Sequence, residues 1–466
     1  MGLETARRAL EAQQIALQVT AHNIANANTP GYSRQVLAFS PTDPYTVPTL
    51  SRSVGAGQVG TGVSVSDIVR VRDAFLDSQA RGVQTLVGEM ESRRDALQEV
   101  EIIFNEPSES GLHSVVDAFW QSLQVLANNP ESPSVRSAVK QAGETLALAF
   151  RTTHRQLQDL RANIDSVVRA RVLEINDIAK EISQVNQQIA NVAAVNDKPN
   201  DLLDRRDSLL EKLSRYADIS ILPENNGTVS VFLNGVALAS PYGFQAISVA
   251  NDPLNSNYAA LTWSSTGTPV EVRGGELRGL IDTRDKAVAD YVSKLNTAAN
   301  TMITQINAVH QGGFGLPPAN ATGLDFFVGS SGLNNAGDIA VNPALTSNNI
   351  AAASAANSPG DGANALLLAA VKSTATPALG GASPDDYFRA IIGQVGLDTR
   401  ETTRIAEGQA LLAKQIANQR DSLSGVSLDE EMVNMMKYQH AYQAAAKLMT
   451  VVDEMLDTLI NQLGRV

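Results

Sequence analysis

Five histidines are the side chains best suited to chemistry near neutral pH, so their spacing comes first. His22, His113, His154, His310 and His440 are scattered along 466 residues. None has a partner at metal-ligand spacing and no HExxH pair exists, so each reads as a structural or surface histidine and no metal is expected. Gly57, Gly60 and Gly62 have neither the dinucleotide nor the Walker spacing, and no Lys-Ser/Thr pair follows, so they read as a hinge. Glu430 and Glu431 resemble a carboxylate pair, but they open a helix, where the macrodipole favours negative charge. No serine sits in a Gly-x-Ser-x-Gly elbow. There is no cysteine, which removes disulfides, thiolate ligands and cysteine nucleophiles. The residues therefore point away from an enzyme, with no catalytic, cofactor-binding or metal residues to name.

Composition narrows the class. Hydrophobic residues make up 43% and charged residues 18%, a globular balance with room for two to four domains. A net charge of −13 disfavours nucleic acid and anionic lipid alike, since both need a basic surface. The first residues lack the apolar core of a cleaved secretory signal, and no run reaches membrane-spanning length. Neither a cleaved signal nor a membrane partner is expected.

The elements that would position functional residues lie at the two ends. Leu3, Ala6, Leu10, Gln13, Leu17, Thr20, Ile24 and Ala27 alternate by three and four. So do Met435, Tyr438, Tyr442, Ala445, Met449, Val452, Leu456, Leu459 and Leu463. This is the seam of a coiled coil, and the two stripes are expected to pack together. The first helix should span 3–28 and stop at Thr29-Pro30-Gly31, because the residue before proline avoids the helical region and glycine supplies a positive φ. Methionines in the last helix (Met432, Met435, Met436, Met449, Met455) suit a deformable interface as well as a core. Leu3, Leu10, Leu17, Ile24, Pro30, Gly31, Met435, Tyr442, Met449, Leu456 and Leu463 are accordingly the expected assembly interface. Such a plan suits a protein built to assemble.

The fold expected is mainly α with β inserts: N- and C-terminal helices paired as a coiled coil, a long helical bundle in the middle, and a small inserted β domain. Residues 1–35 and 426–466 form the terminal coiled-coil domain. Residues 36–218, 274–312 and 386–425 form the bundle, with helices over 67–105, 111–128, 134–195 and 201–216. Asn225-Asn226-Gly227 and Asn234-Gly235 are hairpin turns, and they place an inserted β domain at 219–273 with its own core on Val229, Val231 and Leu233. Residues 313–385 read as a loop-rich insert with short strands at 339–341 and around Ile350, and a helix near 363–372. Helices over 385–424 and 428–463 follow, the second opened by a Ser427/Glu430 capping box.

At this level of detail the chain resembles a known family. Residues 16–35, ALQVTAHNIANANTPGYSRQ, are similar to the N-terminal signature of the flagellar axial family of rod, hook and hook-associated proteins. Residues 426–463 are similar to its C-terminal signature. Three interior stretches, 201–214 (DLLDRRDSLLEKLS), 274–285 (GGELRGLIDTRD) and 338–354 (DIAVNPALTSNNIAAAS), resemble the hook-associated branch.

The resemblance implies a structural junction subunit between hook and filament. Its partners would be itself (a ring or helical assembly), the hook protein, a second junction protein on the filament side and an export chaperone on the C-terminal helix. It implies no cofactor, no nucleic acid and no membrane. It also implies type III export without a cleaved signal peptide to an extracellular place in the bacterial flagellum, with the terminal helices forming the inner tube. Two alternatives remain: another axial subunit of rod or hook, and a secreted binding protein or adhesin. The long helix over 134–195 speaks against the first. The inserts carry only Trp263 and a few Phe and Tyr, which is weak support for the second.

Overall fold

A computed structural model describes residues 2–43, 60–105, 108, 111–329 and 335–461. The alanine-rich start forms one helix, α1 (Gly2–Ala25). It ends in a turn closed by a Tyr32 N–H to Thr29 O hydrogen bond of 3.2 Å, and Gly31 takes φ 81°. A short ribbon follows, β1 (Gln35–Pro41) antiparallel to β2 (Val63–Arg70), with Gln35 opposite Arg70. The helix expected from residue 67 thus begins later. Val63, Val65 and Val69 keep the period of a strand, and Asp73 caps the next helix by accepting from the N–H groups of Phe75 and Leu76.

That helix, α2 (Ala74–Phe104), leads to α3 (Leu112–Asn128), α4 (Pro133–Ala193) and α5 (Asn200–Tyr216). Pro133 stands at the first position of α4, which tolerates its missing N–H. With 61 residues, α4 is about 90 Å long at 1.5 Å per residue. It is the spine of the body: Leu146, Phe150, Leu157, Ile164, Val168, Ile175 and Ile182 join the same buried core as Phe119, Trp120, Leu213 and Ile306.

Six strands come next: β3 (Ile219–Pro223), β4 (Val229–Leu233), β5 (Val236–Ser240), β6 (Gly243–Phe244), β7 (Ile247–Asp252) and β8 (Tyr258–Trp263). They form an antiparallel sheet in the order β3-β4-β5-β6 and a β7-β8 hairpin. Here the expectation of a separate core fails. Val229, Val231 and Leu233 belong to the core that α4 builds. Two asparagines of α4 pin the strands as a neighbouring strand would. Asn176 donates to Ile247 O (2.8 Å) and accepts from Ile247 N (2.8 Å). Asn186 does the same with Val229 O (2.8 Å) and Val229 N (3.2 Å). Both ends of the insert do meet: a Cβ on Gly275 would fall 2.6 Å from Ala217 N. Excision of 219–273 would nevertheless strip α4 of apolar cover.

The chain returns through α6 (Glu276–Asp282), a π-helical turn (Thr283–Ala287) and α7 (Val288–Gly312). β9 (Phe327–Gly329) and β10 (Ile339–Val341) pair antiparallel. The strand expected around Ile350 is instead a 3₁₀ turn at Ser347–Asn349 followed by extended chain, whose Ile350 carbonyl accepts from Arg136 at 2.7 Å. After α8 (Ala363–Ala370), α9 (Pro384–Ser424) packs against α2. Last comes α10 (Leu428–Asn461).

α10 lies antiparallel along α1. A Cβ on Gly2 would sit 3.2 Å from Val452, and Asn23 donates to Glu431 at 3.2 Å. Gly2 to Asn23 and Val452 to Glu431 are equal lengths of chain, so the pair runs without a register slip. The buried face keeps only Ala6 and Thr20 of the expected seam. The buried line of α1 is Ala6, Ala12, Ala16, Val19, Thr20 and Asn23, whereas Leu3, Leu10, Leu17 and Ile24 are half-buried at its margin. Small side chains let the two backbones approach, and the leucines are displaced to the flanks.

A polar latch beneath the paired terminal helices

The turn after α1 converges with α10, α5, β2 and α9 on one polar site. Asn23 is its hub within α1. Its amide nitrogen donates to Gln35 O (2.9 Å) and Glu431 (3.2 Å). Its oxygen accepts from Gln35 N (3.0 Å) and the Tyr32 hydroxyl (2.7 Å). The turn is thereby folded back on its own helix. Arg34 then reaches α10, with Nε 2.8 Å from Glu431 and Nη1 2.9 Å from Glu430. Its backbone N–H donates to Ser424 O at the end of α9 (3.0 Å). The Glu431 side chain is 3% exposed, and Arg34 and Asn23 supply the partners that a buried carboxylate needs.

α5 supplies the opposite wall. Asp201, Asp204 and Asp207 recur every three residues and share one helical face. Asp204 accepts from Ser33 N (3.0 Å), Ser33 Oγ (2.7 Å) and Arg70 (2.7 Å). Asp201 accepts from Gln35 (3.0 Å) and lies 3.3 Å from the His22 ring. Arg70 and Arg72, at the end of β2 and just past it, bridge to Asp207 at 3.0 and 3.1 Å. Arg72 also forms a bidentate pair with Asp77 of α2. Arg420 of α9 pairs with Glu211. α10 and α5 are tied to the turn by charged hydrogen bonds, α9 by a backbone one, and β2 and α2 join through the arginines that meet Asp204, Asp207 and Asp77.

Burial alone would raise the Asp207 carboxyl, but Arg206, Arg72 and Arg70 outweigh it and hold it below the ordinary aspartate value. Burial, followed by Asp201, Asp204 and Glu431, raises the Tyr32 hydroxyl, which stays a neutral donor. The sign for Asp207 follows from linkage. A lowered folded value contributes stability above the unfolded value near 3.8, and the contribution is lost as pH falls through the folded value. The Asp207→Asn chain should show a shallower acid loss of melting temperature below about pH 4, by up to one proton's worth of slope. Identical slopes would mean that Asp207 titrates alike folded and unfolded.

Gly31 is pressed against Ser208, whose Cβ would lie 3.4 Å from an added Cβ. A β-branched residue at φ 81° is strained by about 1–3 kcal/mol. Gly31→Val should lower the thermal midpoint, while Gly60→Val, with nothing within 4 Å and no positive φ, should not. Equal midpoints for the two variants would contradict the turn's role.

The outer surface of α10 is unusual for a single chain. Among its described residues only Glu431 and Ala445 are buried. Leu428, Met432, Val433, Met436, Leu448, Met455 and Ile460 are exposed and lie nearly all round the helix. A helix apolar on all sides is normally covered on all sides. Of the residues expected to assemble, Met435 and Met449 are half-buried against α1, Tyr442 and Leu456 are exposed, and Leu463 lies outside the described residues. Pro30 and Gly31 are exposed at the rim of a cleft of about 410 Å³ between the turn and α5.

Sequence reasoning missed most of the latch. The macrodipole, and for Glu430 the capping box, account for Glu430 and Glu431 locally, yet both bind Arg34. The capping box is half-formed, since Ser427 accepts from Glu430 N at 3.5 Å while the Glu430 carboxylate turns to Arg34. The three-residue spacing of Asp201, Asp204 and Asp207 was the available signal. Histidine was also misjudged at one place: His113 and Asp117, four apart on α3, meet Asp385 of α9. Lys372 already stands there as the cation, 2.7 Å from Asp117 and 3.7 Å from Asp385.

Three family models match separate parts of the chain. Residues 97–327 match the family described as flagellar hook-associated protein FlgK helical domain. Residues 3–32 match flagella basal body rod protein, and residues 417–463 match flagellar basal body rod FlgEFG protein C-terminal. The chain is 34% identical to flagellar hook-associated protein 1 of Bacillus subtilis, over 100% of this chain and 98% of that one. It is 25% identical to the protein of that name in Escherichia coli, over 98% of this chain and 99% of that one. That alignment runs over 553 positions, more than this chain has residues, so the relative carries segments opposite gaps here. In fold, the chain is similar to the flagellar hook junction protein FlgK from Burkholderia pseudomallei, with a TM-score of 0.63 at 15% identity, over 74% of this chain and 100% of that one.

Proposed function

Since this chain belongs to the family of flagellar hook-associated protein 1, a structural subunit of the bacterial flagellum, we propose that it builds the junction between hook and filament. The observation that carries this reading is α10: apolar nearly all round, paired with α1, and latched to the body through Arg34 and Glu431. Neighbouring copies would cover it, giving an inner tube of terminal helices from residues 1–35 and 426–466. The helical body (36–218, 274–312 and 386–425) would stand outside that tube, with the segments 219–273 and 313–385 as inserts on the body.

The partners proposed are further copies of the chain, the hook protein on one side and a second junction protein on the other. An export chaperone would cover α10 before assembly. The route is type III export without a cleaved signal, ending outside the cell. The protein would act by assembly and not by catalysis. Electron microscopy of cells lacking the protein tests this. Hooks without filaments are expected, restored by the full chain; normal filaments in its absence would overturn the reading.

A further inference from the structure

Beside the latch lies a cleft of about 300 Å³ lined by Arg70, Arg72, Arg81, Arg206, Asp77 and Asp207, with Glu224 at the β3–β4 turn. Most of its charges are spent on one another. Arg72 pairs with Asp77, Asp207 and Asp204, and Arg206 with Asp207 and the Gly227 carbonyl. Glu224 accepts from the hydroxyls of Ser230 and Thr228.

Arg81 is the exception. Among the described residues its guanidinium makes no hydrogen bond and no ion pair, although it is partly buried on α2. Arg70 spends only Nη1 on its two carboxylates, which leaves Nε and Nη2 beside the cleft. A partly desolvated arginine without an acceptor is costly to keep. Its planar fork matches carboxylate or phosphate oxygens in a bidentate way. Burial pushes Arg81 below the ordinary arginine value, outweighing the pull of Asp77, Asp207 and Glu211, which lie near it without forming a hydrogen bond or ion pair.

We propose that this cleft binds an oxyanion, held by Arg81 with Arg70 at its side. Two sources have this chemistry: a free inorganic oxyanion, or a carboxylate side chain of a second copy. The chain's net charge of −13 makes such carboxylates plentiful. An occupant would tie α2, β2 and the β3–β4 turn together where the latch meets the body. The first measurement uses the isolated full chain and does not depend on the flagellar reading; the second rests on it.

Inorganic phosphate is titrated against the full chain at constant ionic strength, with chloride as the control, and binding is read from phosphorus NMR line widths. Saturable binding is expected, weakened at least tenfold in Arg81→Gln and partly kept in Arg81→Lys. Arg94→Gln, a change on the same helix outside the cleft, should bind as the parent does. Circular dichroism confirms that each variant is folded. In the second measurement, Arg81→Gln is compared with the parent for incorporation into flagella. Phosphate binding with unchanged incorporation identifies a free anion. Absent phosphate binding with lost incorporation identifies a carboxylate from a second copy. Absent phosphate binding with unchanged incorporation, or equal phosphate binding by parent and Arg81→Gln, overturns the proposal.

Discussion

Deleting residues 430–466 is expected to abolish incorporation into the flagellum completely while leaving the body folded. The body's core runs through α2, α3, α4, α7 and α9 and, among the described residues, takes none from α10. α10 instead packs along α1 and meets the turn through Glu430 and Glu431. Its removal takes away the exposed apolar helix and leaves Arg34 without either carboxylate. The purified truncated chain should keep its cooperative thermal transition, and cells producing only this form should bear no filaments. Filaments on such cells would show that assembly does not need α10. Loss of the cooperative transition would show that α10 supports the body.

Asp204→Ala is the point change with the largest expected effect. One carboxylate serves Ser33 twice and Arg70 once, with Arg72 at 3.6 Å. Removing one partner of a buried ion pair costs about 3–5 kcal/mol, because the other charge stays buried. Even the lower figure corresponds to at least a hundredfold more frequent opening of the turn. Trypsin cleavage after Arg34 should speed up by that factor under conditions where opening is in rapid equilibrium. Asp204→Asn keeps acceptor oxygen for Ser33 but loses the charge opposite Arg70, so it should fall between the two. Unchanged cleavage in Asp204→Ala would mean that the turn is held elsewhere.

Much of this fold was legible because local signals agreed. Thr29-Pro30-Gly31 announces a stop and a positive φ, and Gly31 shows one. Pro133 and the apolar period after it announce α4. What failed did so for tertiary reasons. Of the stripe that heptad spacing gave α1, only Ala6 and Thr20 are buried; Leu3, Leu10, Leu17 and Ile24 lie at the margin, and Ala12, Ala16, Val19 and Asn23 complete the buried line. The β insert looked self-sufficient from its alternating valines. Nothing in one strand's period reveals that Asn176 and Asn186, on a distant helix, complete it. The latch was hidden for a similar reason. Arg34, Asp204 and Glu431 are far apart in sequence, and each has an ordinary local explanation as a surface or helix-end charge.

The account's central claim is that neighbouring copies cover the apolar surface of α10. The absence of cysteine permits a direct measurement. Met436→Cys and Leu448→Cys place single thiols at exposed positions of α10, and Arg205→Cys places one on an exposed side chain of α5. Maleimide labelling is compared between the purified chain and isolated flagella of motile cells. The account predicts rapid labelling of all three in the isolated chain, with protection of the α10 thiols, and not of the α5 thiol, after assembly. Equal labelling of the α10 thiols before and after assembly would contradict it.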